Sequence, residues 1–149
     1  MSKSRCRVIS ELLTVCLVFS LCCVFPSAAY IQPDGTQSSA YLESYSADTD
    51  VDSTGKVYVS VSVDSYVYAT KIGAKTIYIY ESTNGTDFTC VATYNSAYYP
   101  EMLGSGWSYD DTPIEYQGVA GRYYFSRVQV YAADAYGSDS RWYNTVTVQ

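Results

Sequence analysis

The residues best suited to chemistry in this chain lie in the stretch Ser96 to Thr112, SAYYPEMLGSGWSYDDT, where Trp107 and Tyr109 precede the adjacent carboxylates Asp110 and Asp111. An aromatic ring with nearby carboxylates is the usual equipment for holding a sugar, the ring stacking on its apolar face and the carboxylates accepting its hydroxyls. A second acidic series, Asp48, Asp50 and Asp52, has the alternate spacing with which an EF-hand loop begins. The match stops there, because Ser53 stands where that loop needs glycine and Val59 where it needs a bidentate glutamate. Trp107, Tyr109, Asp110 and Asp111 are therefore the candidate ligand-binding residues. Asp48, Asp50 and Asp52 are at most a looser calcium site, and no other cofactor is implied.

Catalysis is disfavoured by composition. The chain contains no histidine, the commonest general base, so Ser-His-Asp and Cys-His arrangements cannot be assembled and zinc loses its usual ligands. A small carboxylate-based hydrolase using Asp110 and Asp111 is the alternative from a different class, although neighbouring residues of one segment set no defined separation across a glycosidic bond. The formal net charge of −6 argues against nucleic acid and anionic membranes as partners. The expectation is a non-catalytic module for an extracellular glycan or cell-surface protein.

Export is read from the first residues. Lys3, Arg5 and Arg7 precede an apolar run from Leu12 to Phe25, too short for the roughly 20 residues of a membrane span, and Ser27-Ala28-Ala29 offers a cleavage site. Residues 1–29 are thus expected to be a helical signal peptide, 30–39 a flexible leader carrying Pro33 and Asp34-Gly35, and 40–149 a single secreted domain. Membrane contact would be confined to the signal before cleavage. Four of the five cysteines fall in the signal, which leaves Cys90 without a partner for an intramolecular disulfide and suits it to a small buried position.

The elements that must position the candidate site are strands. Val57, Val59, Val61 and Val63 alternate with Tyr58, Ser60 and Ser62, and Ile77 and Ile79 alternate with Tyr78 and Tyr80. Asn84-Gly85 predicts a type I′ hairpin turn into a return strand 87–95, with a bulge where Phe88, Cys90 and Val91 break alternation. A final hairpin sets Val128, Val130 and Ala132 against a core, with Arg127, Gln129 and Tyr131 facing away, and returns through Thr145 to Val148 after a loop at 134–139. An edge strand is expected at 40–46, a loop from Asp48 to Gly55, and a long loop over 96–112. The 18 tyrosines are read either as cross-strand pairs covering a sheet or as a dedicated ligand face.

About six or seven strands with frequent turn signals predict an all-β antiparallel sandwich. Lys71-Ile72-Gly73-Ala74 leading into Ile77 to Ser82, then Glu115 to Tyr124 and the terminal hairpin, resembles a family of small secreted proteins of Gram-positive, Firmicutes-type bacteria with no assigned function. The resemblance implies export and fold and adds no activity. The terminal hairpin is also similar to the last two strands of fibronectin type III domains, where a tyrosine opens the penultimate strand. The cysteine pair of a true immunoglobulin domain is absent.

Overall fold

A computed structural model describes residues 39–149; the expected signal peptide, 1–29, and nearly all of the expected leader, 30–39, lie outside the described residues. Six strands follow in order: β1 (Leu42–Val51), β2 (Lys56–Ser82), β3 (Thr89–Asn95), β4 (Leu103–Gln117), β5 (Tyr123–Ala133) and β6 (Ser138–Asn144), with a short 3-10 turn, Pro100–Met102, before β4. All pairings are antiparallel and form one six-stranded sheet curled into a half-barrel.

The long strand β2 organises the sheet. Along one of its edges run β1, opposite Val57 to Ser65, and then β5, opposite Lys71 to Ser82. Along the other run β4, opposite Lys56 to Gly73, and then β3, opposite Thr76 to Glu81. The two strands expected around Val57–Val63 and Ile77–Ile79 are therefore halves of one. Between them β2 bows outward: Asp64 pairs with Ser108 and Ala69 with Gly106, so Ser65 to Tyr68 stand opposite Trp107 alone. The bow is held by the Tyr66 amide, which donates to the Tyr41 carbonyl at 3.0 Å, and by the Ser65 hydroxyl, which accepts from the Val67 amide at 3.3 Å.

Alternation places the core as expected. Val57, Val59, Val61, Val63, Ile77, Ile79, Val128, Val130 and Ala132 are all buried. Each fully buried valine contributes roughly 1.5–3 kcal/mol of transfer free energy. Burying β-branched side chains on one face is what commits these segments to strands. The two halves also meet through hydroxyls: Thr49 donates to Ser126 at 2.8 Å, lies 2.8 Å from the Thr145 hydroxyl, and Ser126 N–H donates to Thr145 at 2.9 Å. These polar groups are buried but satisfied, so they join β1 to β5 without an unpaired donor. Tyr124, fully buried at the start of β5, accepts from the Val119 amide at 2.7 Å and donates to the Glu81 carboxylate at 2.6 Å, which is also paired to Arg122.

Several expectations are corrected. Strand β1 extends to Val51 because Ala47 and Thr49 are buried and continue the alternation, leaving a turn at 52–55. The segment 96–112 is not a long loop: β4 begins at Leu103, its glycines being accommodated by register breaks against β2. The return strand of the last hairpin is 138–144, and Val148 adds one bridge to Tyr124. Asn84-Gly85 is not a type I′ turn, since Gly85 has positive φ and Asn84 does not; the Asn84 side chain instead accepts from the amides of Thr86 and Asp87. The bulge in β3 is present at Ile79/Tyr80, and it leaves Cys90 exposed on an edge strand, not buried.

Candidate functional site

Trp107 is carried on the part of β4 that faces the bow of β2. Gly106, at φ 142°, takes a backbone conformation that residues with side chains rarely adopt, and it resets the alternation of the strand. Trp107 and Ser108 are consequently exposed in succession. The Trp107 ring is 60% exposed and meets Tyr68 edge to face, with centroids 6.1 Å apart at 84°. Tyr66 and Tyr68 are each 56% exposed, so three large aromatic side chains are presented to solvent at one bend.

Tyr109 does something different. It is buried, its hydroxyl donates to the Glu101 carbonyl at 2.9 Å, and its ring lies against the positions of Gly73 and Gly104, where side chains would crowd it. Burial, with smaller contributions from Asp111 and Glu101, pushes its phenol up to about 12. Tyr109 is thus a core plug, and the expected aromatic pair is divided between outside and inside. Asp110 and Asp111 are exposed opposite Ser62 and Val61, and Asp111 accepts from the Thr112 amide at 2.7 Å. Of the four candidates, the structure leaves Trp107, Asp110 and Asp111 outside. As consecutive residues of one strand, the two carboxylates do not flank a substrate from two sides as a hydrolase pair must.

The acidic series is not gathered into a metal site. Asp48 and Asp50 are exposed at alternate positions of β1. Asp52 closes the following turn by accepting from the Thr54 amide at 2.8 Å, the Thr54 hydroxyl at 2.6 Å and the Lys56 amide at 3.0 Å. These bonds, led by the one from the Thr54 hydroxyl, hold its carboxyl below the usual value. Among the described residues no group of three or more histidine, cysteine, aspartate or glutamate side chains could hold a metal ion.

A second aromatic set covers the outer face of β2, β5 and β6. Tyr80 stacks on Phe125 at 4.7 Å, Phe88 meets Phe125 edge to face at 4.8 Å, Tyr78 stacks on Trp142 at 5.7 Å, and Arg127 lies over Trp142. Lys75 lies over Tyr131. These residues, apart from exposed Lys75, are half-buried, and the stacked rings occupy one another's faces. They are the cross-strand cover expected of part of the tyrosine content, and they leave less ring area for a ligand than Tyr66, Tyr68 and Trp107. Tyr66 and Tyr68 were legible in principle: they continue the outward positions of Tyr58, Ser60 and Ser62 opposite the buried series Val57–Val63.

Comparison with protein-family models, with curated proteins and with solved structures finds no match to this chain.

Proposed function

We propose that the chain is a secreted, non-catalytic binding module of the kind expected from its export signal, akin to small exported Gram-positive proteins, and that it holds an extracellular glycan on Tyr66, Tyr68 and Trp107. The exposure of these three rings at the bow of β2 carries the reading: free ring area with hydroxyl handles suits stacking on the apolar face of a sugar. A two-layer, fibronectin type III-like arrangement is part of the proposal. It is supported by the way β1 and most of β4 flank the first half of β2 while β3 and β5, with β6 beyond it, flank the second half, so that a sharp curl of the one sheet at the bow would set these two groups face to face. Tyr124 at the start of β5, bonded back to Val119, is the tyrosine corner that such sandwiches carry.

The test is a glycan array probed with residues 30–149 and with Trp107→Ala. Binding without turnover that disappears in Trp107→Ala supports the reading. Binding confined to cell-surface protein, or product released from any substrate, would overturn it.

A further inference from the structure

We propose that Asn84-Gly85, in the turn between β2 and β3, is a latent modification site: the folded turn locks the pair against deamidation through Ser82, and the pair converts to aspartate or isoaspartate when the turn opens. The chemistry is internal to the chain and needs only water. The Gly85 amide gives its proton to solvent hydroxide, and the nitrogen lone pair bonds to Cγ of Asn84. The Cγ–Nδ2 bond then breaks, and the amino group takes a proton from water and leaves as ammonia. Water opens the resulting succinimide at either carbonyl, so an amide and a water have become a carboxylic acid and ammonia. Glycine after asparagine favours this closure because, with no Cβ, it leaves the attacking nitrogen unhindered.

The bonds of the turn keep the reacting atoms apart. The new bond must form along the direction of the Gly85 N–H, and that N–H is aimed at the Ser82 hydroxyl oxygen, to which it donates at 3.0 Å. The same oxygen accepts from the Asn84 amide at 3.2 Å, and its hydroxyl donates to Asn84 Oδ1 at 2.9 Å. Asn84 Oδ1 also accepts from the amides of Thr86 and Asp87 at 3.0 and 2.9 Å, while Nδ2 donates to the Asp87 carboxylate at 2.7 Å. Ser82 is 3% exposed at the end of β2, where it pairs with Tyr123 of β5, so the lock is anchored in the sheet. Asn84 itself is exposed, and solvent reaches it. The fold needs both members of the pair: Asn84 supplies the acceptor that closes the turn, and Gly85 stands at φ 74°, where a side chain would be strained. Conversion undoes the turn in either product. Aspartate in place of Asn84 exchanges the Nδ2 donor for a carboxylate oxygen facing Asp87, and isoaspartate adds a methylene to the main chain. Strand β3, largely exposed and paired with β2 alone among the described residues, depends on this turn for its attachment.

The experiment incubates the protein at mildly alkaline pH beside a peptide of residues 80–90 and follows Asn84 by mass spectrometry, with fragmentation that separates aspartate from isoaspartate. The expected result is conversion at least about tenfold slower in the protein than in the peptide, because the bonds to Ser82 must open first. Ser82→Ala, shown folded by circular dichroism, should recover most of that difference. Hydrogen exchange of the Gly85 amide reads the lock on the unaltered chain: exchange and ring closure both begin with loss of that proton, so both should be slowed by a similar factor. Converted protein, separated by its added charge, should show faster exchange of the β3 amides than the parent. Conversion of the folded protein at the peptide's rate, or an unprotected Gly85 amide, would overturn the lock. A folded Ser82→Ala variant that converts as slowly as the parent would overturn the part given to Ser82. Unchanged β3 exchange after conversion would overturn the link to β3, and a peptide that does not convert would overturn the site altogether.

Discussion

Trp107 and Tyr109 stand two residues apart on one strand, a spacing that should put them on the same face, yet Trp107 is 60% exposed and Tyr109 is 9% exposed. The register break against β2 between Gly106 and Ser108, which leaves Trp107 unpaired, separates them. One ring is offered to solvent and the other anchors the 3-10 turn through the Glu101 carbonyl.

Truncating the two should therefore have unequal effects on stability. Tyr109→Ala should cost about 3–5 kcal/mol, since it removes a buried ring together with its hydrogen bond. Trp107→Ala should cost about 1 kcal/mol or less, the worth of one exposed edge-to-face contact. Urea denaturation of both variants checks this, and equal losses would show that Trp107 is packed.

The all-β class, the valine and isoleucine core and the facing of the last hairpin were legible because period-two alternation over Val57–Val63 and Val128–Ala132 is the physical signature of a half-buried strand. The first part of β4 was not legible. Pro100, Gly104 and Gly106 read as loop residues, and what makes Leu103 to Thr112 a strand is pairing with a β2 that bows to meet it, a long-range fact absent from local pattern. The same bow explains why Tyr66 and Tyr68 went unnoticed beside Trp107. Thr49 and Asp50 looked like turn residues because the buried hydroxyl network with Ser126 and Thr145 joins positions remote in sequence.

Tyr124→Phe keeps the ring and deletes the hydroxyl, so the Val119 amide loses its acceptor and Glu81 loses a donor. Leaving such groups unpaired costs about 1–3 kcal/mol. A denaturation midpoint within error of the parent would show that the corner contributes nothing.

Gly55 sits at φ 85°, and a Cβ there would lie 2.3 Å from the Ala120 amide nitrogen. Because the obstacle is backbone, Gly55→Ala must displace the 118–121 segment and should destabilise by more than the about 1–2 kcal/mol of left-handed strain alone. Thermal unfolding reads this out, and a loss within that strain range would indicate that the segment yields freely.

Stability should fall as pH rises from about 10 toward about 12, where the unfolded phenol has lost its proton and native Tyr109 retains it. The sign follows from the unfolded state binding fewer protons in that window. Tyr124, raised by burial and then by its bond to Glu81, adds in the same direction. Tyr109→Phe should flatten the alkaline decline in a chemical-denaturation series, and an unchanged slope would contradict the assignment.

The most direct measurement uses Trp107 as its own reporter. With Trp142→Phe the chain has one tryptophan, and titration with a glycan identified on the array should shift its emission to the blue and protect it from acrylamide quenching. Binding that leaves Trp107 emission and quenching unchanged would place the ligand elsewhere and contradict the account.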